Sequence, residues 1–147
     1  MKLNKLITSL VLTLSCFFLV AQQHEVKMLN NGAEGLMVFE PAVLSINPGD
    51  SVVFKATDMS HNSASIAGMI PDGAESWTGA MSQDVTVNFT KEGVYVYQCT
   101  PHSMMAMVGV IKVGAATNLA AVKQKAETQK QAFVMNKERL TAYLSNL

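Results

Sequence analysis

Apolar and polar residues alternate with a period of two along several short stretches between His24 and Val113, as in strands that bury one face. Turn residues separate these stretches, most clearly at 47–50, where Asn-Pro-Gly-Asp favours a tight turn. The predicted strands contain Val26, Met28, Val38, Phe39, 43–46, 51–55, 85–89, 94–99 and 108–113. Short strands at this spacing predict an all-β sandwich or barrel.

The pattern changes in two other parts of the chain. Residues 58–83 are rich in glycine, proline and small polar residues, which predicts a long loop with at most a short helical turn. After Gly114 the apolar period becomes about 3.6, and Thr117 or Asn118 can cap a helix. We expect one or two amphipathic helices that pack on the sandwich, with a break at 128–131 or near Asn136.

Residues 1–21 have the features of a secretory signal peptide: Lys2 and Lys5, an apolar run, and Ala21 before the expected cleavage point. The run is too short to span a membrane comfortably. We therefore expect a mature chain without a membrane span, composed of a sandwich at 22–114 and a helical extension at 115–147. A lipoprotein acylated at Cys16 is the alternative, which Thr13 three positions earlier disfavours.

Composition and charge narrow the function classes. The 147 residues are 49% hydrophobic, enough for one domain with a real core. The formal net charge of zero conceals a difference between segments, because 22–114 hold 4 basic and 9 acidic residues whereas 115–147 hold 5 and 2. No basic cluster interleaves with aromatic residues, which argues against a nucleic-acid partner.

Three residues near two-thirds of the chain carry the candidate chemistry. Cys99, His102 and Met107 lie within nine residues directly after a predicted strand, and export would leave Cys99 as the sole cysteine. A thiolate, two imidazoles and a weak axial thioether are the ligand set of a mononuclear blue-copper electron-transfer site. His61, from the preceding loop, is the candidate second imidazole, so the sequence predicts one type 1 copper ion.

Other roles for these residues are possible on chemical grounds. A thiol enzyme that uses Cys99 and His102 as nucleophile and base is disfavoured because no third orienting group accompanies them. His24, near the expected mature terminus, is interpreted as solvated and not as a ligand. A copper carrier or chaperone is the alternative function, because methionines surround the ligand loop.

The chain resembles the pseudoazurins, blue-copper proteins of the cupredoxin family. The resemblance runs from about Val26 to the C-terminus, and it is carried by 37–41, 47–50, His61-Asn62, 68–74, 99–102 and 107–109. It implies a cupredoxin Greek-key β-sandwich of about eight strands with two C-terminal helices. It also implies that Asn62 ties the ligand loops together, as residues that orient metal ligands do.

The resemblance further implies an electron shuttle in the periplasm, monomeric and not itself an enzyme. It would transiently meet a cytochrome donor and a terminal reductase such as copper nitrite reductase. Met59, Trp77 and Gln98 replace the docking lysines of the family, while Ser103, Met104 and Ala106 replace an aromatic residue and glycines of its ligand loop. We therefore expect weak electrostatic steering and a methionine-rich docking face of Met59, Met69, Met104 and Met105.

Overall fold

The computed structural model describes residues 20–147, and the predicted signal segment lies almost wholly outside them. Eight strands are followed by two helices. The strands are β1 Gln23–Gly32, β2 Gly35–Glu40, β3 Val43–Ile46, β4 Ser51–Lys55, β5 Ala64–Ser65, β6 Val85–Asn88, β7 Gly93–Gln98 and β8 Val108–Val113. The helices are α1 Leu119–Gln129 and α2 Arg139–Ser145, with short 3-10 turns at Ser103–Met105 and Lys130–Ala132.

The strands form two four-stranded sheets. The first has the order β2-β1-β4-β6 and the second β3-β8-β7-β5. Two neighbouring pairs, β1 with β4 and β3 with β8, are parallel, whereas the other pairs are antiparallel. This arrangement confirms the predicted all-β sandwich with C-terminal helices.

Buried side chains form two clusters, one on each face of the second sheet. The inter-sheet cluster includes Phe39, Phe54, Tyr97, Cys99 and Met107. The helix-facing cluster lies between the same sheet and the helices, and its members include Val94, Val96, Val108, Val110, Val122, Leu140 and Leu144. The metal-ligand candidates Cys99 and Met107 therefore belong to the sandwich interior.

Strand β7 departs from the half-buried strand that its alternation predicts. Residues 93–97 are all buried, because the helices cover the face that would otherwise meet solvent. Val94 and Val96 contact the helix-facing cluster, whereas Tyr95, Tyr97 and Cys99 contact the inter-sheet cluster. The alternation is thus between aliphatic and aromatic residues, and both are buried.

The loop and helix predictions hold with two differences. Residues 58–83 are mostly loop but contain the two-residue strand β5 and no helical turn. Asn118 is the residue before α1, yet its side chain makes no helix cap. Instead it accepts a hydrogen bond from Val94 N at 2.7 Å and donates to Val94 O at 2.9 Å. The helices break at Gln129, and the connector includes Asn136 with a φ of 51°.

None of the helices in residues 20–147 is both long and apolar enough to cross a bilayer.

Candidate metal centre

Three potential ligand atoms converge at one end of the sandwich. The Sγ atom of Cys99 lies 3.6 Å from Nδ1 of His61 and 3.3 Å from Nδ1 of His102. The two Nδ1 atoms are 3.1 Å apart. His61 and Cys99 are fully buried, whereas His102 is half-buried. The structure thus brings together residues separated by 41 positions in the sequence.

The end of β7 and a closed loop position Cys99 and Met107. Cys99 N donates to Met107 O at 2.9 Å, which brings the two ends of the loop together. Between them, Met105 N and Met107 N donate to His102 O at 3.0 and 3.3 Å. These backbone bonds close the loop. Met107 is fully buried and packs in the same cluster as Cys99.

Asn30 orients the buried imidazole of His61. Its Oδ1 accepts a hydrogen bond from His61 Nε2 at 3.0 Å, which leaves Nδ1 unprotonated and directed at Cys99. The Asn30 backbone N in turn donates to Asp58 Oδ2 at 2.7 Å. No spacing signal in the sequence marks Asn30 as a partner of His61.

Asn62 connects the His61 loop to the Cys99 loop. Its Oδ1 accepts from Thr100 N at 2.8 Å, and its Nδ2 contacts Thr100 Oγ1 at 3.1 Å and Gly79 O at 3.2 Å. The side chain is buried, so water competes little for these bonds. The buried Asn62 amide therefore joins the two loops directly.

Burial shifts both buried ligands toward their neutral forms. It lowers the pKa of the His61 imidazole, with the neighbouring His102 as the second cause. Burial also raises the pKa of the Cys99 thiol, against smaller opposing effects of hydrogen bonds. A thiolate at this position therefore needs a cation beside it, and a coordinated metal supplies one.

The donor set fits a metal ion in trigonal coordination. Bonds of about 2.0–2.3 Å from a metal to imidazole nitrogen and thiolate place donors in a trigonal plane roughly 3.5–4.0 Å apart. The observed separations of 3.1–3.6 Å are close to that range. Two imidazoles with one thiolate and a thioether nearby are the set that copper electron-transfer sites use.

The surroundings of the site differ from the expected methionine face in one respect. Met59 and Met104 are 68% and 59% exposed, and Met105 is half-buried. Met69, however, is only 2% exposed and packs in the helix-facing cluster, so its assignment to the docking face was wrong. A methionine after a glycine in a loop gives no sign of whether helices cover it.

Val134 and Met135 extend the apolar surface beside the ligand loop. They are 66% and 45% exposed, and their backbone N atoms donate to Met104 O at 2.8 and 3.4 Å. No local pattern in the sequence links them to the ligand loop, because they belong to the connector between the helices, about 30 positions after Met104.

His24 is also placed differently from its interpretation as a solvated residue. Its Nε2 lies 3.0 Å from Asp50 Oδ2, and its side chain is 24% exposed. The same carboxylate accepts hydrogen bonds from Gln22 N at 2.8 Å and Asn47 N at 3.0 Å. His24 is therefore part of a structural network, separate from the three converging ligand atoms.

Comparisons with known proteins all point to one family of copper-binding proteins. The model of the family described as copper binding proteins, plastocyanin/azurin family, matches residues 26–114. Pseudoazurin of Methylorubrum extorquens is 48% identical over 104 residues, which cover 70% of this chain and 70% of the relative. Pseudoazurin of Paracoccus pantotrophus is 43% identical over 128 residues, covering 86% and 85%.

Solved structures agree with the sequence matches. The refined crystal structure of pseudoazurin from Methylobacterium extorquens AM1 superposes with a TM-score of 0.74 at 41% identity, covering 84% of this chain and 98% of that one.

Proposed function

This chain belongs to the pseudoazurins, within the plastocyanin/azurin family of copper-binding proteins, and on that premise we propose that it shuttles single electrons in the periplasm. It binds one type 1 copper ion and is an electron carrier, not an enzyme. We place it between a respiratory donor such as a cytochrome and a terminal reductase such as copper nitrite reductase.

His61, Cys99 and His102 are the proposed equatorial copper ligands, with Met107 as the axial ligand. The observation that carries this proposal is the convergence of two Nδ1 atoms and one Sγ atom within 3.6 Å of one another. Bound copper supplies the one-electron redox couple. The protein contributes a geometry that Asn30, Asn62 and the closed loop hold in place, which limits rearrangement between oxidation states.

His102 is the proposed point of electron entry and exit. It is half-buried, whereas His61 and Cys99 are fully buried, so a partner approaches the site most closely through the His102 ring. Met59, Met104 and Met105 would form the docking contact. Flexible thioether side chains adapt to different partner surfaces, which suits brief encounters by a monomer.

Export is the remaining part of the proposal. Residues 1–21 would be removed as a signal peptide, leaving a sandwich at 22–114 and a helical extension at 115–147. A copper carrier is the competing function. Carriage requires ready release of the ion, whereas Asn30 holds the buried His61 ring and Asn62 ties the His61 loop to the backbone beside Cys99, which favours the shuttle.

Electron transfer to copper nitrite reductase tests the shuttle. The oxidation rate of the reduced, copper-loaded protein is measured by stopped flow for wild type, Met104→Glu and Thr117→Glu. Thr117 is exposed beside the end of β7 that lies away from Cys99, so Thr117→Glu adds the same charge as a matched control.

We expect Met104→Glu to lower the second-order rate constant about tenfold, equivalent to about 1.4 kcal/mol, because a charge must be desolvated in an apolar contact. Thr117→Glu should leave it unchanged. The wild-type rate should vary little with ionic strength, since steering charges are absent from Met59, Met104 and Met105. Equal rates for all three proteins would contradict the docking face. Rapid copper transfer to an apo-acceptor, without electron transfer, would favour the carrier.

A further inference from the structure

The connector between the two helices and the start of α2 make hydrogen bonds to the outer side of the ligand loop. Val134 N donates to Met104 O at 2.8 Å. Asn136 Nδ2 donates to Met105 O at 3.4 Å, and Arg139 Nη1 donates to Ala106 O at 3.0 Å. Three consecutive carbonyls between His102 and Met107 therefore receive donors from a segment about 30 positions away.

Arg139 joins this loop to the opposite sheet. The same Nη1 atom donates to Met37 O at 3.0 Å, and Nη2 donates to Leu36 O at 3.3 Å. Leu36 and Met37 belong to β2, an edge strand of the first sheet. One guanidinium thus connects α2, β2 and the residue directly before Met107.

The charge of Arg139 is directed at carbonyl oxygens. Among the ion pairs formed within residues 20–147, none includes Arg139. Its three hydrogen bonds use the planar fork of the guanidinium, which an ammonium group cannot reproduce. Hydrogen bonds that involve a charged group contribute more to stability than neutral ones.

Ala106 is the residue of the ligand loop that Arg139 holds. It is fully buried and has φ 56° and ψ 40°, the left-handed conformation that is unfavourable for an alanine. A carbonyl held by a guanidinium offsets that cost. Because Met107 follows directly, the orientation of the Ala106–Met107 peptide determines where the Met107 side chain begins.

We propose that Arg139 is a positioning residue for the axial ligand, holding the Ala106 carbonyl so that Met107 keeps its place at the copper site. This inference rests on the proposed ligand set. The reduction potential of a site of this type is tuned by its axial ligand, so the C-terminal extension would set the potential and not only add stability.

The test compares copper-loaded wild type with Arg139→Lys, Arg139→Gln and Tyr143→Phe. Arg139→Lys keeps the charge and loses the fork. Tyr143→Phe is the matched control, because Tyr143 lies one turn further along α2 and its hydroxyl donates to Glu34 and to no carbonyl of the ligand loop. For each protein, the midpoint potential, the thiolate-to-copper absorption spectrum and the thermal midpoint are measured.

We expect Arg139→Lys to raise the potential, because a weaker thioether bond donates less electron density to the oxidised ion. We expect the ratio of the protein's affinities for oxidised and reduced copper to change threefold to tenfold. A tenfold change in this ratio shifts the midpoint potential by about 59 mV for one electron. The relative intensities of the absorption bands should change with it. Arg139→Gln should change the bands as well, while its lost charge opposes the rise in potential. Tyr143→Phe should lower the thermal midpoint and leave both spectrum and potential at wild-type values.

Two outcomes would overturn the inference. In the first, Arg139→Lys and Arg139→Gln lower the thermal midpoint but keep the wild-type potential and spectrum, so Arg139 is purely structural. In the second, Tyr143→Phe shifts the potential as much as Arg139→Lys does, so helix docking in general is responsible. Failure of the proposed function is seen separately, because wild type would then have no thiolate-to-copper absorption.

Discussion

At the level of single residues, His61 is held at both ring nitrogens. Nε2 donates to Asn30 Oδ1, and Nδ1 faces Cys99 and His102. The hydrogen bond therefore selects the tautomer with a free lone pair on Nδ1, the form that binds a metal. Asn30 determines which atom of His61 is available, although its own side chain is bonded to the ring nitrogen that faces away from Cys99 and His102.

Removing the Asn30 side chain tests this role. Asn30→Ala should weaken copper binding about 10–100-fold, the usual effect of losing a residue that orients a metal ligand. Affinity is measured by competition with a chelator of known strength. Asn31→Ala is the control, since Asn31 is an exposed neighbour in the same hairpin. Equal affinities for Asn30→Ala and wild type would show that the loop alone orients His61.

The sequence predicts some of these residues better than others. Cys99, His102 and Met107 are recognisable because the loop brings near neighbours together, so their spacing reflects their geometry. Asn30 and Arg139 are not, because their contacts with His61 and Ala106 depend on how strands and helices pack across more than 30 positions. A hydrogen-bonding role of this kind has no local pattern.

At the level of elements, Asp50 fixes the start of β1 against the turn that precedes β4. Hydrogen bonds lower the pKa of Asp50 from 3.8 to about 2. The largest cause is the hydrogen bond from the Gln22 backbone, followed by those from the His24 side chain and the Asn47 backbone. Because the folded-state pKa is below the unfolded one, the carboxylate stabilises the fold above about pH 4. That contribution is lost as the pH falls toward about 2.

Asp50→Asn tests this dependence. At neutral pH the variant should unfold at a lower temperature than wild type, because it loses the ionised acceptor. The difference should shrink as the pH falls from about 5 to about 2, where wild type loses the same charge. The thermal midpoint of each protein is measured across this pH range. Glu25→Gln is the control, because Glu25 is exposed. A constant difference would mean that the Asp50 charge plays no part.

Strand β7 illustrates what periodicity determines and what it leaves open. Its period of two correctly predicts a strand that delivers Cys99 at its end. It cannot reveal that α1 and α2 cover the second face, because Val94 and Val96 would suit a half-buried strand in another fold equally well. The same limit explains Met69, whose burial depends on the helices.

At the level of the whole molecule, the sandwich and the helices enclose the ligand loop from two sides. The inter-sheet cluster contains Cys99 and Met107, while the connector and Arg139 hold the outer carbonyls of the loop. Of the four candidate ligands, His102 alone is partly exposed, and Met104 beside it is 59% exposed. This organisation suits an electron shuttle that keeps its copper ion bound and exchanges electrons through one small face.

The most direct test of the central claim is the visible absorption spectrum of the copper-loaded, oxidised protein, with Cys99→Ser as the matched variant. If Cys99 binds copper as a thiolate beside His61 and His102, wild type will have an intense thiolate-to-copper charge-transfer band, and Cys99→Ser will have none. Stoichiometric copper binding by wild type without that band, or an unchanged band in Cys99→Ser, would contradict the account.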